Sequence, residues 1–113
     1  MYFFLDAARR KARGGSLYLE FQPGPWKETH WREDSLFLPA PLFDDLRLYD
    51  LFVRAIPHFD YYNVTEVTAE QFQALNSLAQ SHHTQCAAEI LAELASRAEI
   101  WLREHGCFTI CGI

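Results

Sequence analysis

Between Ala87 and Leu102 apolar side chains recur at steps of three and four: Ala87, Ile90, Leu91, Leu94, Ala98, Trp101 and Leu102, opposed by Glu89, Glu93, Ser96, Arg97 and Arg103. This spacing predicts a long amphipathic helix running to His105, with Gly106 as its stop. A face so wide has to be covered. The next seven residues, CFTICGI, are rich in β-formers and predict a closing strand. A helix obliged to pack and a strand obliged to pair, one glycine apart, point to helices laid on a sheet.

Other segments supply the remaining pieces. Thr68-Ala-Glu-Gln71 fits a capping box, so a helix starts there and continues through Phe72, Leu75, Leu78 and Ala79 to a break at Ser81–Thr84, SHHT. SLYLEF, Ser16 to Phe21, alternates as a strand burying Leu17, Leu19 and Phe21, and Pro23-Gly24-Pro25 ends it. The closing strand then pairs with SLYLEF or with the FDYY segment at Phe59–Tyr62. Leu42, Leu46, Tyr49, Val53 and Ile56 mark the buried stripe of one helix from near Pro41 to Pro57, with Asp44 and Asp45 in its first turn. Tyr2–Leu5 is apolar enough to start a strand, and Asp6–Arg13 reads as a short basic helical turn ended by Gly14-Gly15. Trp26–Asp34 reads as an irregular loop. The expected fold is α+β: one domain over residues 1–113, mainly helical, with helices packed on a small antiparallel sheet.

At 113 residues, half of them apolar, the chain can bury a core without disulfide or metal staples. Ten basic against fifteen acidic residues, a formal charge of −5, argue against direct nucleic-acid binding and against a membrane surface held by phosphate contacts. No apolar stretch approaches the ~20 residues that span a bilayer. The start, MYFFLDAARR, makes a poor secretion signal, so the expected location is cytoplasmic and the three cysteines are expected as free thiols. The basic run Arg9, Arg10, Lys11 and Arg13 lacks interleaved aromatics and reads as a solvated helix face.

Few residue groups suggest chemistry. His82, His83 and Cys86 are metal-capable, and His83 and Cys86 are one helical step apart, which would suit a small metal-dependent enzyme. The group has no evident fourth ligand and no H-E-x-x-H base, so an exposed helix junction beside a buried thiol is the simpler reading. Cys107 and Cys111 share strand parity and read as packing. The carboxylate pairs Asp44–Asp45 and Glu66–Glu70 read as solvated charges at helix starts. The expectation is therefore no catalysis, no cofactor and no metal. A self-associating adaptor using Trp26 and Trp31 is a further alternative.

The stretch FDYYNVTEVTAEQF, Phe59 to Phe72, combines turn chemistry with aromatics. Asp60 is suited to an Asx-type turn, Asn63 to a left-handed position, and Thr65 and Thr68 to hydroxyl capping. Of Tyr61 and Tyr62, adjacent in an extended strand, only one can enter the core. The run DSLFLPAPLFDDLRLYDLFVRAIPHFDYYNVTEVTAEQF, Asp34 to Phe72, together with the closing CFTICGI, resembles small immunity proteins of bacterial toxin-immunity systems, including contact-dependent growth inhibition. Related sequences carry FDYYGPTE, and Asn63 and Val64 stand at the Gly-Pro positions. The resemblance implies a cytoplasmic, non-catalytic protein that binds the C-terminal domain of a cognate toxin, often a basic nuclease, and blocks its active site or substrate path. Acidic groups would steer such a partner and exposed aromatics would hold it. Asp44, Asp45, Asp50, Tyr61, Tyr62, Glu66 and Glu70, gathered around one helix start and one turn, are the expected contact residues.

Overall fold

The structure is a computed structural model that describes residues 2–82 and 85–113. In chain order it comprises α1 (Ala7–Arg13), β1 (Tyr18–Pro23), β2 (Leu36–Pro39), α2 (Ala40–Asp45), α3 (Leu48–Ala55), β3 (Val64–Thr68), α4 (Ala69–His82), α5 (Gln85–His105) and β4 (Cys107–Cys111). The four strands form one antiparallel sheet in the order β2-β1-β4-β3. The fold is α+β, with helices packed on a small antiparallel sheet as expected.

Local chemistry accounts for the helix ends. The Asp6 side chain accepts the Arg9 N–H at 2.8 Å to cap α1, and Gly14 closes it at φ +79°. At α4 the capping box is reciprocal: Thr68 Oγ1 accepts the Gln71 N–H at 3.2 Å, and Gln71 Oε1 accepts the Thr68 N–H at 3.0 Å. Phe72, Leu75 and Ala79 of α4 are buried, as are Ala87, Ile90, Leu91, Leu94, Ala98 and Trp101 of α5. They pack with Leu19, Phe21, Leu36, Leu38, Val67, Phe108 and Ile110 of the sheet into the main core. The large apolar side chains among them contribute about 1.5–3 kcal/mol of burial each. Glu93, on the polar side of α5, is used as well: its carboxylate accepts the N–H groups of Tyr2, Phe3 and Phe4 and ties the first residues to the helix.

The segment between Pro41 and Pro57 differs from expectation. Arg47 adopts a left-handed conformation, φ 53° and ψ 38°, and divides the expected single helix into α2 and α3. That break resets the helical phase. Phe43, Leu48, Leu51, Phe52 and Ala55 are buried, while Tyr49 is exposed and Leu42, Leu46 and Val53 are only half-buried; of the predicted stripe, Ile56 alone is fully inside. Asp44 and Asp45 consequently close α2 instead of opening a helix, and they gain nothing from a helix-dipole positive end.

β1 is buried at every position, not on alternate ones. Its second face is covered by α1 and by the irregular loop between β1 and β2, where Ala7, Tyr18 and Phe37 form a smaller core. Trp31 stacks on Phe37, and the Arg10 guanidinium lies 4.2 Å from the Trp31 ring centre. Glu20, buried beneath this loop, accepts the Trp31 N–H at 2.8 Å, the Arg32 N–H at 2.9 Å and the Ser35 hydroxyl at 2.6 Å, which is why a carboxylate is tolerated there. Leu17, expected inside, precedes the strand and is 60% exposed. The Tyr2–Leu5 segment contributes only a single bridge, Leu5 to Phe37.

β4 pairs with one candidate partner of the sequence reading, β1, and on its other side with β3, which follows the FDYY segment instead of containing it. The strand beside the FDYY segment is VTEVT, whereas Tyr61 and Tyr62 themselves lie in the turn before it. Just after β4, Gly112 passes so close to this turn that a Cβ on it would sit 2.0 Å from the Tyr61 carbonyl oxygen. The Gly112 N–H donates to the Asn63 carbonyl at 2.8 Å, and the Ile113 N–H donates to the Tyr61 carbonyl at 2.9 Å. FDYY and CFTICGI are thus two halves of one structural unit.

Candidate functional site

The turn between α3 and β3 is built from its own side chains. Asp60 Oδ1 accepts the Tyr62 N–H at 2.9 Å, forming the expected Asx-type turn, and Thr65 Oγ1 accepts the Asp60 N–H at 3.2 Å. Asn63 is not in the left-handed region; its side-chain oxygen instead accepts the Val64 N–H at 3.0 Å, and Val64 opens β3 directly. Tyr61 turns inward and stacks on Phe43 at 5.7 Å, while Tyr62 is 76% exposed. The expected division between the two tyrosines is present, imposed by the turn and not by strand alternation.

Phe43 anchors the site from below, with Phe52 and Phe59 at 5.2 and 6.1 Å. Above it, the Tyr61 hydroxyl donates to Asp44 Oδ1 at 2.8 Å, so α2 and the turn are clasped across a gap of seventeen residues. An open cavity of about 580 Å³ lies here, lined by Asp44, Tyr49, His58, Phe59, Asp60, Tyr61 and Tyr62, with Pro57 at its edge. The His58 ring nitrogen Nε2 lies 3.1 Å from the Glu66 carbonyl oxygen, which fixes the ring against β3.

The structure brings together three of the seven expected contact residues: Asp44, Tyr61 and Tyr62. Asp45 adjoins Asp44 and is exposed, and Asp50 is exposed in the first turn of α3 beside Tyr49. Glu66 faces the other side of the sheet from buried Thr65 and Val67, and its carboxylate accepts the Trp26 N–H at 2.8 Å. Glu70 is exposed in the first turn of α4. Tyr49, His58 and Asp60 complete the cavity and were not anticipated as contacts. For Tyr49 the reason is the helix break at Arg47, which turns a predicted core position outward.

Burial, followed by the hydrogen bond and charge of Asp44 and then by Tyr62, pushes the Tyr61 phenol up to about 12 from its usual value near 10. The folded state therefore favours the neutral phenol. The associated stability is fully present below pH 10 and is lost as pH rises through about 12. In an alkaline absorbance titration one tyrosine should ionise late, near pH 12. Asp44→Asn should move that ionisation back towards the ordinary value; a titration unchanged by the substitution would contradict the clasp.

Among the other predicted groups, Cys86 is exposed, contrary to the buried thiol expected, while His83 and the side chain of His82 lie outside the described residues. Trp31 is committed to Phe37 and Arg10, and Trp26 is half-buried, with its ring 4.9 Å from that of His30. No described helix is long and apolar enough to cross a membrane. No protein family, curated protein or solved structure matches the chain.

Proposed function

We propose that this chain is a binding protein of the immunity type, which neutralises a toxin domain by occupying its surface and carries out no chemistry of its own. The observation that carries this reading is the open aromatic and acidic surface at the α3–β3 turn. Tyr62 and Tyr49, 76% and 45% exposed, stand beside Asp44 and Asp60 around one cavity. Tyrosines of this kind supply much of the affinity at protein interfaces, and carboxylates steer a basic partner. The Tyr61–Asp44 clasp and the Asx turn hold the surface in place before a partner arrives, which lowers the ordering cost of binding. The net charge of −5 suits a basic nuclease domain in the cytoplasm of the producing cell.

The test is to express this chain together with basic nuclease toxin domains, beginning with any encoded next to it, scoring cell survival and measuring affinity by calorimetry. Tyr62→Ala should weaken binding by about 30-fold, equivalent to ~2 kcal/mol at a central aromatic. Asp44→Ala should slow association and reduce its salt dependence. Glu66→Ala, on the other sheet face, should change affinity little. Failure to protect cells would refute the immunity reading, and full affinity in Tyr62→Ala would refute the surface.

A further inference from the structure

On the sheet face away from α2–α5, Glu20 of β1 and Cys111 of β4 are direct register partners. His30, from the loop between β1 and β2, stands over them. One carboxylate oxygen, one ring nitrogen and the Cys111 sulfur all lie within 4.8 Å of one another. Glu20 and Cys111 are buried and His30 is exposed, so the group has a closed floor and an open side. A cavity of about 260 Å³ adjoins it, lined by Ser16, Tyr18, Trp31, Gly112 and Ile113 together with the three donors. That volume holds an ion and several waters, each of which takes about 30 Å³ in the liquid.

We propose that Glu20, His30 and Cys111 bind a single divalent transition-metal ion of the zinc class, with a fourth coordination position open to the cavity. One oxygen, one nitrogen and one sulfur donor form a borderline-soft set that suits zinc over magnesium or calcium. Glu20 is already oriented for the task. A carboxylate offers about four lone-pair sites; the Arg32 N–H and the Ser35 hydroxyl occupy Oε2, and the Trp31 N–H takes one site on Oε1. Among the described residues no further donor fills the remaining site on Oε1. Ligating carboxylates are commonly held by outer hydrogen bonds of this kind.

The balance of charge and protons is simple. Without metal a cysteine sulfur, with an ordinary pKa of about 8.5, is protonated at neutral pH. On binding, an S–metal bond forms, the thiol proton passes to solvent, and hydrated metal loses water. Thiolate and carboxylate together cancel the 2+ charge. Zinc bonds of about 2.0–2.3 Å require the donors to draw closer than they now stand. His30, on the exposed side of the group, supplies part of that movement.

The site adjoins the α3–β3 turn through Gly112 and Ile113, and metal titration reads it separately from toxin binding. Reduced, chelator-treated protein carrying Cys86→Ser, which removes the exposed thiol, is titrated with Co²⁺ and then with Zn²⁺. One equivalent of Co²⁺ should give a thiolate charge-transfer band and tetrahedral visible bands, with about one proton released per ion. Zn²⁺ should displace it. Changing an outer-shell partner typically costs 10–100-fold in affinity, so His30→Gln, which removes a direct ligand from an exposed loop, should cost at least about that much. Cys111→Ser should abolish the charge-transfer band. The His30→Gln chain, compared by urea unfolding without metal, serves as the folded control should Cys111→Ser not fold. Absence of the band, or a band that survives His30→Gln at full affinity, would overturn the assignment.

Discussion

Gly112→Ala should lower stability by about 2–4 kcal/mol, combining the strain of overpacking with the loss of two backbone hydrogen bonds. The new methyl would sit 2.0 Å from the Tyr61 carbonyl oxygen and 2.9 Å from the Tyr62 nitrogen, and both atoms belong to backbone that no rotamer change can move aside. Either the tail lifts away, forfeiting the Gly112–Asn63 and Ile113–Tyr61 bonds, or the turn shifts and pulls Tyr61 from Asp44. The Gly112 requirement is one of close approach and not of backbone dihedral, since its φ is not among the positive values. For a chain of this size the melting temperature should fall on the order of 10 °C. The late-ionising tyrosine should also revert towards its ordinary range. An alanine variant that melts with the parent protein and retains the late ionisation would show that the close approach does not hold the turn.

Phe43→Ala should cost about 3–5 kcal/mol, the usual range for emptying a phenylalanine site in a core. Phe43 is fully buried, and its ring contacts Phe52, Phe59 and Tyr61, so one truncation removes the common floor of α2, α3 and the turn. Against a total stability of about 5–15 kcal/mol that is a large fraction. The urea midpoint should fall steeply with little change in slope. Phe43→Leu, which keeps most of the volume, should retain much of the stability, separating loss of packing from loss of the aromatic stack. Phe43→Ala should also weaken partner binding beyond the effect of the folded fraction alone, because Tyr61 loses its support. Equal stability in Phe43→Ala and the parent would contradict this account of the core.

The sequence disclosed the parts governed by neighbouring residues. The capping box at Thr68–Gln71, the apolar face of α5 and the stop at Gly106 depend on interactions within a few positions, and each formed as the pattern predicts. The break at Arg47 has no such signal: the left-handed residue is an arginine and not a glycine, with buried Phe43 and Leu48 on either side of it in the chain. Without a signal for the break, the spacing puts Tyr49 inside and leaves the cavity short of one wall. β1 escaped its predicted alternation for a related reason: its second cover is a loop with no periodicity, so burial of Glu20 and Gln22 could not be read from spacing. The Glu20–His30–Cys111 group was hidden by its dispersal along the chain and emerges only once β1 pairs with β4. At the α3–β3 turn, the aromatic and acidic character was legible, but the pairing of Tyr61 with Asp44 required the fold.

The strand order carries a kinetic consequence. β1 and β3 are not paired with each other, and the strand that joins them, β4, is translated after every other element of the sheet. At ribosomal speeds of about 5–20 residues per second, the stretch from β3 to β4 takes on the order of seconds to appear. Throughout that interval β1 has an unsatisfied edge and β3 has two, the state in which a nascent polypeptide most readily joins a foreign strand. Once β4 arrives it must slot between two waiting edges, a non-local closure that favours slow maturation. The topology thus leaves strand edges open until the last element is made, however stable the finished molecule is.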